Sequence, residues 1–142
     1  MKVKYHKLHQ LAIEPTKGTP QSAAYDLSSI ETVWIPPGQT VAVATGLSME
    51  IPEGWKGEIY SRSGMSSQGT VVANSPGKID SDYRGEIMVL LHNQRLQDVA
   101  CIEPGDRIAQ FEINPVHPLQ FEIVEELSST QRGDAGFGST GK

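Results

Sequence analysis

The sequence contains one cysteine, Cys101, among 142 residues. No disulfide can form within the chain, and a reducing compartment is the expected setting. Long apolar runs are missing as well. The opening stretch MKVKYHKLHQLAIEP has none of signal-peptide length, and nowhere does the chain approach the roughly 18 apolar residues of a membrane-spanning helix. A cytoplasmic location is expected, that of a host cell if the source is viral, with no membrane as partner. Lysine and arginine are outnumbered, 12 against 17 Asp and Glu, giving a net charge of −5, and they form no cluster. A groove that tracks a nucleic-acid backbone needs a basic stripe, so nucleic acid is not an expected partner. The four histidines, His6, His9, His92 and His117, lack metal-ligand spacing. Helical periodicity is absent too: Ser63 to Gln68 has room for one or two turns, and no window sustains more.

What is present is β-structure punctuated by turns. Pro36-Pro37-Gly38, Pro52-Glu53-Gly54, Pro76-Gly77 and Pro104-Gly105-Asp106 separate short runs rich in β-branched and apolar residues. These runs are Val33–Ile35, Val41–Thr45, Gly57–Tyr60, Val71–Ala73, Glu86–His92, Ile108–Ile113 and Phe121–Val124. Short strands at this spacing predict an all-β sandwich, jelly roll or barrel. The length suits one domain, which we place at residues 1–127, followed by a Gly-rich arm at 128–142. Glu86–Leu91 is apolar at alternate and intervening positions, which predicts burial on both faces and hints at a second subunit.

Three polar clusters can carry chemistry. Ser61-Arg62-Ser63-Gly64 sits between a strand and the short helical turn. It can cradle a phosphate with backbone N–H groups, a hydroxyl and a planar cation, or it can be an ordinary capped turn. Gly77–Gly85, GKIDSDYRG, holds two carboxylates, a tyrosine and an arginine. If extended, it points Asp80 and Asp82 to one side, where a carboxylate near a bound water can act as a general base. An Asp-rich hairpin loop is the alternative. Gly105–Gln110, GDRIAQ, offers an Asp106–Arg107 ion pair and Gln110 as a donor, or simply a structural turn.

The chain closes with RGDAGFGSTGK, which holds four of its fourteen glycines. Gly136–Lys142 fits the first part of a phosphate-binding P-loop pattern, but that loop needs a strand before it and a helix after it. Arg132-Gly133-Asp134 is also an adhesion tripeptide, a three-letter match that arises easily by chance. A flexible tail without a role is the remaining reading.

Taken in order, these motifs resemble the dUTPases, homotrimeric all-β enzymes with a distorted jelly-roll or β-barrel fold that hydrolyse dUTP to dUMP and pyrophosphate. The five motifs are Ala23–Ser28, Ser61–Met65, Gly77–Gly85, Gly105–Gln110 and Arg132–Gly141, and they span most of the chain. The resemblance implies a role for each. Asp80 activates the water that attacks the α-phosphorus. Tyr83 packs on the deoxyribose and leaves no room for a 2′-hydroxyl. Asn74 and the backbone of Lys78, Ile79 and Asp80 read uracil, and Met88 adds a further contact. Arg62, Ser63 and Gly64 from a neighbouring subunit, with Gln110, hold phosphates. Arg132, Phe137, Gly138, Ser139 and Thr140 belong to an arm that closes over the nucleotide, with Phe137 on the base. One Mg²⁺ is held mainly by the phosphates, and Asp26 touches its shell through water. The activity would keep uracil out of DNA and supply the dTTP precursor.

The chain departs from the family pattern in three places: Ala24 and Ser61 stand where Gly and Pro are usual, and Asp134-Ala135 where a variable residue and Gly are usual. A dCTP deaminase shares the fold and is the rival enzyme; the Ile79–Tyr83 run and the Phe-Gly-Ser-Thr tail favour hydrolysis. A nucleotide-binding switch acting through a protein partner is the rival of another class.

Overall fold

The computed structural model describes residues 1–136. Eleven strands and one short helix follow in the order β1 Lys4–Lys7, β2 Tyr25–Ser28, β3 Val33–Ile35, β4 Thr40–Ala44, β5 Leu47–Glu50, β6 Trp55–Tyr60, α1 Ser63–Ser66, β7 Thr70–Val72, β8 Gly77–Ile79, β9 Met88–Asn93, β10 Ala100–Ile102 and β11 Arg107–Pro115. The largest sheet has the order β2-β11-β6-β8, a second β4-β9-β7, and two pairs, β1-β5 and β3-β10, complete the set. All pairings are antiparallel. The all-β, jelly-roll-like expectation holds, while the described strands do not close into a barrel.

Alternation explains most of the strands. In β9, Val89, Leu91 and Asn93 face inward and are fully buried, whereas Met88 and Leu90 are each 37% exposed. Leu27, Ile35, Val43, Leu47, Ile87 and Ile108 join Val89 and Leu91 in one core drawn from every sheet. Each such side chain contributes about 1.5–3 kcal/mol by leaving water. The one large polar group among them, Asn93, is satisfied: its Nδ2 donates to the carbonyls of Ile35 and Asp98, both at 2.8 Å.

Two expectations change. The Glu86–Leu91 run is buried on one face only within a single chain, because the strand starts at Met88 and its outer face meets no second layer. Phe121–Val124 forms no strand; Phe121 is 95% and Ile123 98% exposed. Sheet edges stay open, at β2 and β8 for example, but no described strand pairs with this segment.

Candidate active site

The central sheet positions the first cluster. Gln110 of β11 pairs with Asp26 of β2 on one side and with Tyr60 of β6 on the other. Arg62 follows β6, and its Nε donates to Asp26 Oδ1 at 2.9 Å. Arg107 Nη1 donates to Asp26 Oδ2 at 3.2 Å, so both carboxylate oxygens of this buried aspartate are engaged by guanidinium groups. The expected Asp106–Arg107 ion pair is thereby replaced. Asp106 Oδ2 instead accepts the Glu103 N–H at 2.9 Å and closes its own turn, while Arg107 reaches across β11 to β2. Ser63 and Gly64 open α1; the Met65 and Ser66 N–H groups donate to the Arg62 carbonyl at 3.1 and 2.9 Å, which leaves those of Ser63 and Gly64 available to an anion. Ser61 is built into the scaffold: its Oγ accepts the Val72 N–H at 2.8 Å and ties the start of α1 to β7, a contact a proline there could not make.

The second cluster gathers around the connection from β7 through β8. Asn74 folds over Gly77, where a Cβ would stand only 3.0 Å from its Nδ2. β8 then runs along β6 with Gly57 opposite Ile79, and Asp80 leaves the end of that strand. Residues 80–83 form a turn in which the Tyr83 N–H donates to the Asp80 carbonyl at 3.2 Å. The segment is not extended, so the alternation that would align Asp80 with Asp82 does not apply. Arg84 braces the turn by donating to the carbonyls of Ser81 and Tyr83, at 2.6 and 2.9 Å. Tyr83 is held by its hydroxyl on the Glu86 carbonyl at 3.0 Å, with its ring over Gly85. A Cβ at position 85 would lie 2.6 Å from Tyr83 Cζ, so any larger residue there would displace the ring from this position. Met88 begins β9 two residues further along the chain from Glu86. Asp80 is exposed and makes no salt bridge among the described residues.

The Asp80 turn and Arg62 lie at opposite ends of β6, while Asn74, folded over Gly77 opposite Ile59, lies toward the Arg62 end. From Gly57, beside the β8 end that carries Asp80, to Arg62 the chain advances about 16 Å. A cavity of about 330 Å³ borders the first cluster through Arg62 and Arg107, with Arg95 and Cys101 also in its wall. A larger one, about 440 Å³ and lined by Tyr5, Glu14, Tyr25 and Phe111 among others, contains none of the expected contact residues. Arg132 is exposed and its Nε donates to the Ala135 carbonyl at 3.0 Å. Phe137, Gly138, Ser139 and Thr140 lie outside the described residues.

Sequence reasoning missed a third polar group on the same sheet. Glu58, 6% exposed, accepts from Tyr60 Oη at 2.8 Å and Asn114 Nδ2 at 2.7 Å, and pairs with Lys56 at 3.1 Å and with Lys78. The Lys78 contact, then Tyr60, with Lys56 and Asn114 further behind, outweighs burial and holds its carboxyl down at about 2. The signal was the alternation Lys56, Glu58, Tyr60, which sets three polar groups on one face of β6.

An all-β jelly roll of short strands, with an arginine–carboxylate cluster at one end of its main sheet and a free aspartate turn at the other, is the class these observations define. The family profile described as dUTPase matches residues 11–141, and the chain belongs to that family. It is 49% identical over 143 residues to a deoxyuridine 5'-triphosphate nucleotidohydrolase of Nautilia profundicola, with all of both chains covered. A dUTPase of Staphylococcus bacteriophage 80alpha solved with dUpNHpp superposes with a TM-score of 0.88 at 30% identity, covering 99% of each chain. A mutant dUTPase from phage phi11 of S. aureus, whose structure concerns a structural Mg(II) ion, gives 0.81 at 27% identity, over 91% of this chain and all of that one.

Proposed function

We infer that the protein is a dUTP diphosphatase that hydrolyses dUTP to dUMP and pyrophosphate. The observation that carries this reading is the Asp80–Gly85 turn, in a chain related along its whole length to such enzymes. Among the described residues the Asp80 carboxylate makes no ion pair, and the Tyr83 ring packs directly over Gly85. Asp80 accepts a proton from water as the water oxygen bonds to the α-phosphorus. The bond from that phosphorus to the α,β-bridging oxygen breaks, and the electron pair leaves with pyrophosphate. Tyr83 presents a rigid ring edge to the sugar at the 2′ position. Asn74 and the backbone from Lys78 to Asp80 read the base, and Met88 lines the same side.

Arg62, with Ser63, Gly64 and Gln110, supplies the phosphate-binding end. Asp80 and Arg62 of one chain stand at opposite ends of β6, which suits a homotrimer in which one subunit brings Arg62 to the Asp80 of another. The half-exposed Met88 and Leu90, and the unpaired apolar Phe121, Ile123 and Leu127, are surfaces that such an assembly would cover. The domain then ends near residue 127, and the arm from 128 carries Arg132, Phe137, Gly138, Ser139 and Thr140 to the nucleotide. Mg²⁺ bound to the phosphates would neutralise charge as the leaving group departs. Asp26 fits a role in its outer shell: both oxygens already accept from guanidinium groups, so contact through water suits it better than direct ligation. Among the described residues no three His, Cys, Asp or Glu side chains gather into a metal shell. No described helix is long and apolar enough to cross a membrane, and a cytoplasmic location fits this reading.

Pyrophosphate release measured with dUTP and the four canonical dNTPs, and ammonia release with dCTP, tests the assignment. Turnover of dUTP alone is expected. Ammonia from dCTP, or nucleotide binding without pyrophosphate, would overturn it. Asp80→Asn should lower the rate about 10²–10⁴-fold while leaving nucleotide binding near normal.

A further inference from the structure

β8 is an edge strand with a demanding task. It pairs only with β6, through Gly57↔Ile79, Glu58↔Lys78 and Ile59↔Gly77, and it ends at the residue before Asp80. Three pairs are a short hold for a strand that must present a carboxylate to a reacting water. The Asp80 side chain makes no hydrogen bond among the described residues, so its place is set by the backbone that carries it. At the middle pair of that ladder, Glu58 and Lys78 meet side chain to side chain. Glu58 is almost buried, and it is fixed from two further directions, by Tyr60 and Lys56 along β6 and by Asn114 on β11. Lys78 is thus bound to a carboxylate that cannot move with it.

We propose that Glu58 is a positioning residue for the hydrolysis: through its ion pair with Lys78 it anchors edge strand β8 to the β6–β11 ladder and thereby holds Asp80 against the water it activates. This rests on the assignment of Asp80 as the base. Neither side chain needs to touch the nucleotide. A displacement of a fraction of an ångström at Asp80 is enough to slow a positioned proton transfer.

The test uses the full-length protein and the variants Glu58→Gln, Lys78→Met and Lys78→Arg. Both Glu58→Gln and Lys78→Met should lower kcat by about fivefold to tenfold and raise KM for dUTP by a smaller factor, since β8 backbone also reads the base, and Lys78→Arg, which keeps a cation at the carboxylate, should recover most of kcat. Amide hydrogen exchange at residues 77–80 should quicken in the first two variants and not in the third. That readout does not depend on turnover, so it separates failure of the anchor from failure of the assignment, which loss of dUTP hydrolysis in the unsubstituted protein would reveal. Normal kcat in Glu58→Gln overturns the proposal. So does loss of kcat in Lys78→Met alone, which would mean that the lysine acts on the substrate directly, and so does unchanged exchange along β8.

Discussion

Asp26 Oδ1 accepts a hydrogen bond from Arg62 Nε at 2.9 Å, although Asp26 lies on β2, Arg62 follows β6, and β11 runs between them. The aspartate is 7% exposed, and Arg107 from the intervening strand reaches its other oxygen. One carboxylate therefore fixes the orientation of two guanidinium groups at one end of the main sheet. Arg107 is half-exposed, which screens its share, so the cluster stabilises by less than a fully buried pair.

Asp26→Ala should cost about 1–2 kcal/mol in urea unfolding at fixed protein concentration. It should also raise KM for dUTP more than it lowers kcat, since freed arginines bind phosphate from a wider spread of rotamers. Unchanged KM with normal Mg²⁺ dependence would remove Asp26 from the site.

Much of this arrangement was legible in the sequence, and the failures are instructive. Val33–Ile35 and Val41–Thr45 announced β3 and β4 through β-branched residues and flanking turns. β1, β2, β5 and β8 escaped because they are three or four residues long with mixed polarity, and β10 because it has only three residues; pairing makes them strands where propensity does not. Phe121–Val124 shows the converse, since its apolar pattern pairs with no described strand. Adjacent Asp106 and Arg107 suggested an ion pair, but the entry into β11 sends them to different partners, and only the register with β2 reveals Asp26. The five motifs marked both clusters. That the Asp80 turn and Arg62 stand at opposite ends of β6 required the strand order.

Sugar selection should depend on the Tyr83 ring. Tyr83→Ala removes the group fixed between Glu86 and Gly85, and the preference for dUTP over UTP should fall at least tenfold in kcat/KM. Comparison of kcat/KM for the two nucleotides decides this; an unchanged ratio assigns the discrimination elsewhere.

The Glu58 network predicts a pH dependence of stability. Its carboxyl titrates at about 2 in the folded chain against an ordinary value of 4.5. A depressed folded value means that the stabilisation is fully present above about pH 4.5 and is lost as pH falls through about 2. The gap in melting temperature between the unsubstituted protein and Glu58→Gln should be widest at pH 5 and above, and should close near pH 2. A gap that persists unchanged to pH 2 would show that the charge is not what stabilises.

Removing residues 131–142 should leave the fold intact and the enzyme nearly inactive. Residues 131–136 are exposed, and the bonds they make are local ones, Arg132 Nε to the Ala135 carbonyl and the Gly133 N–H to Thr130 Oγ1 at 3.1 Å. Their loss should barely move the melting temperature without nucleotide. Ordering a segment rich in glycine over a ligand costs about 1–2 kcal/mol per residue as an upper bound. Stacking of Phe137 on the base and charge-assisted bonds from Arg132 to phosphate must offset that cost. Bonds that strengthen as charge shifts onto the leaving pyrophosphate lower the barrier itself, so the truncation should reduce kcat as well as raise KM. Phe137→Trp adds an indole to the two tryptophans already present, Trp34 and Trp55. Its fluorescence, taken as a difference from the unsubstituted protein, should change when a non-hydrolysable dUTP analogue and Mg²⁺ are added. A truncated enzyme with unchanged kcat, or an indole that ignores the nucleotide, would leave these residues with no part in the reaction.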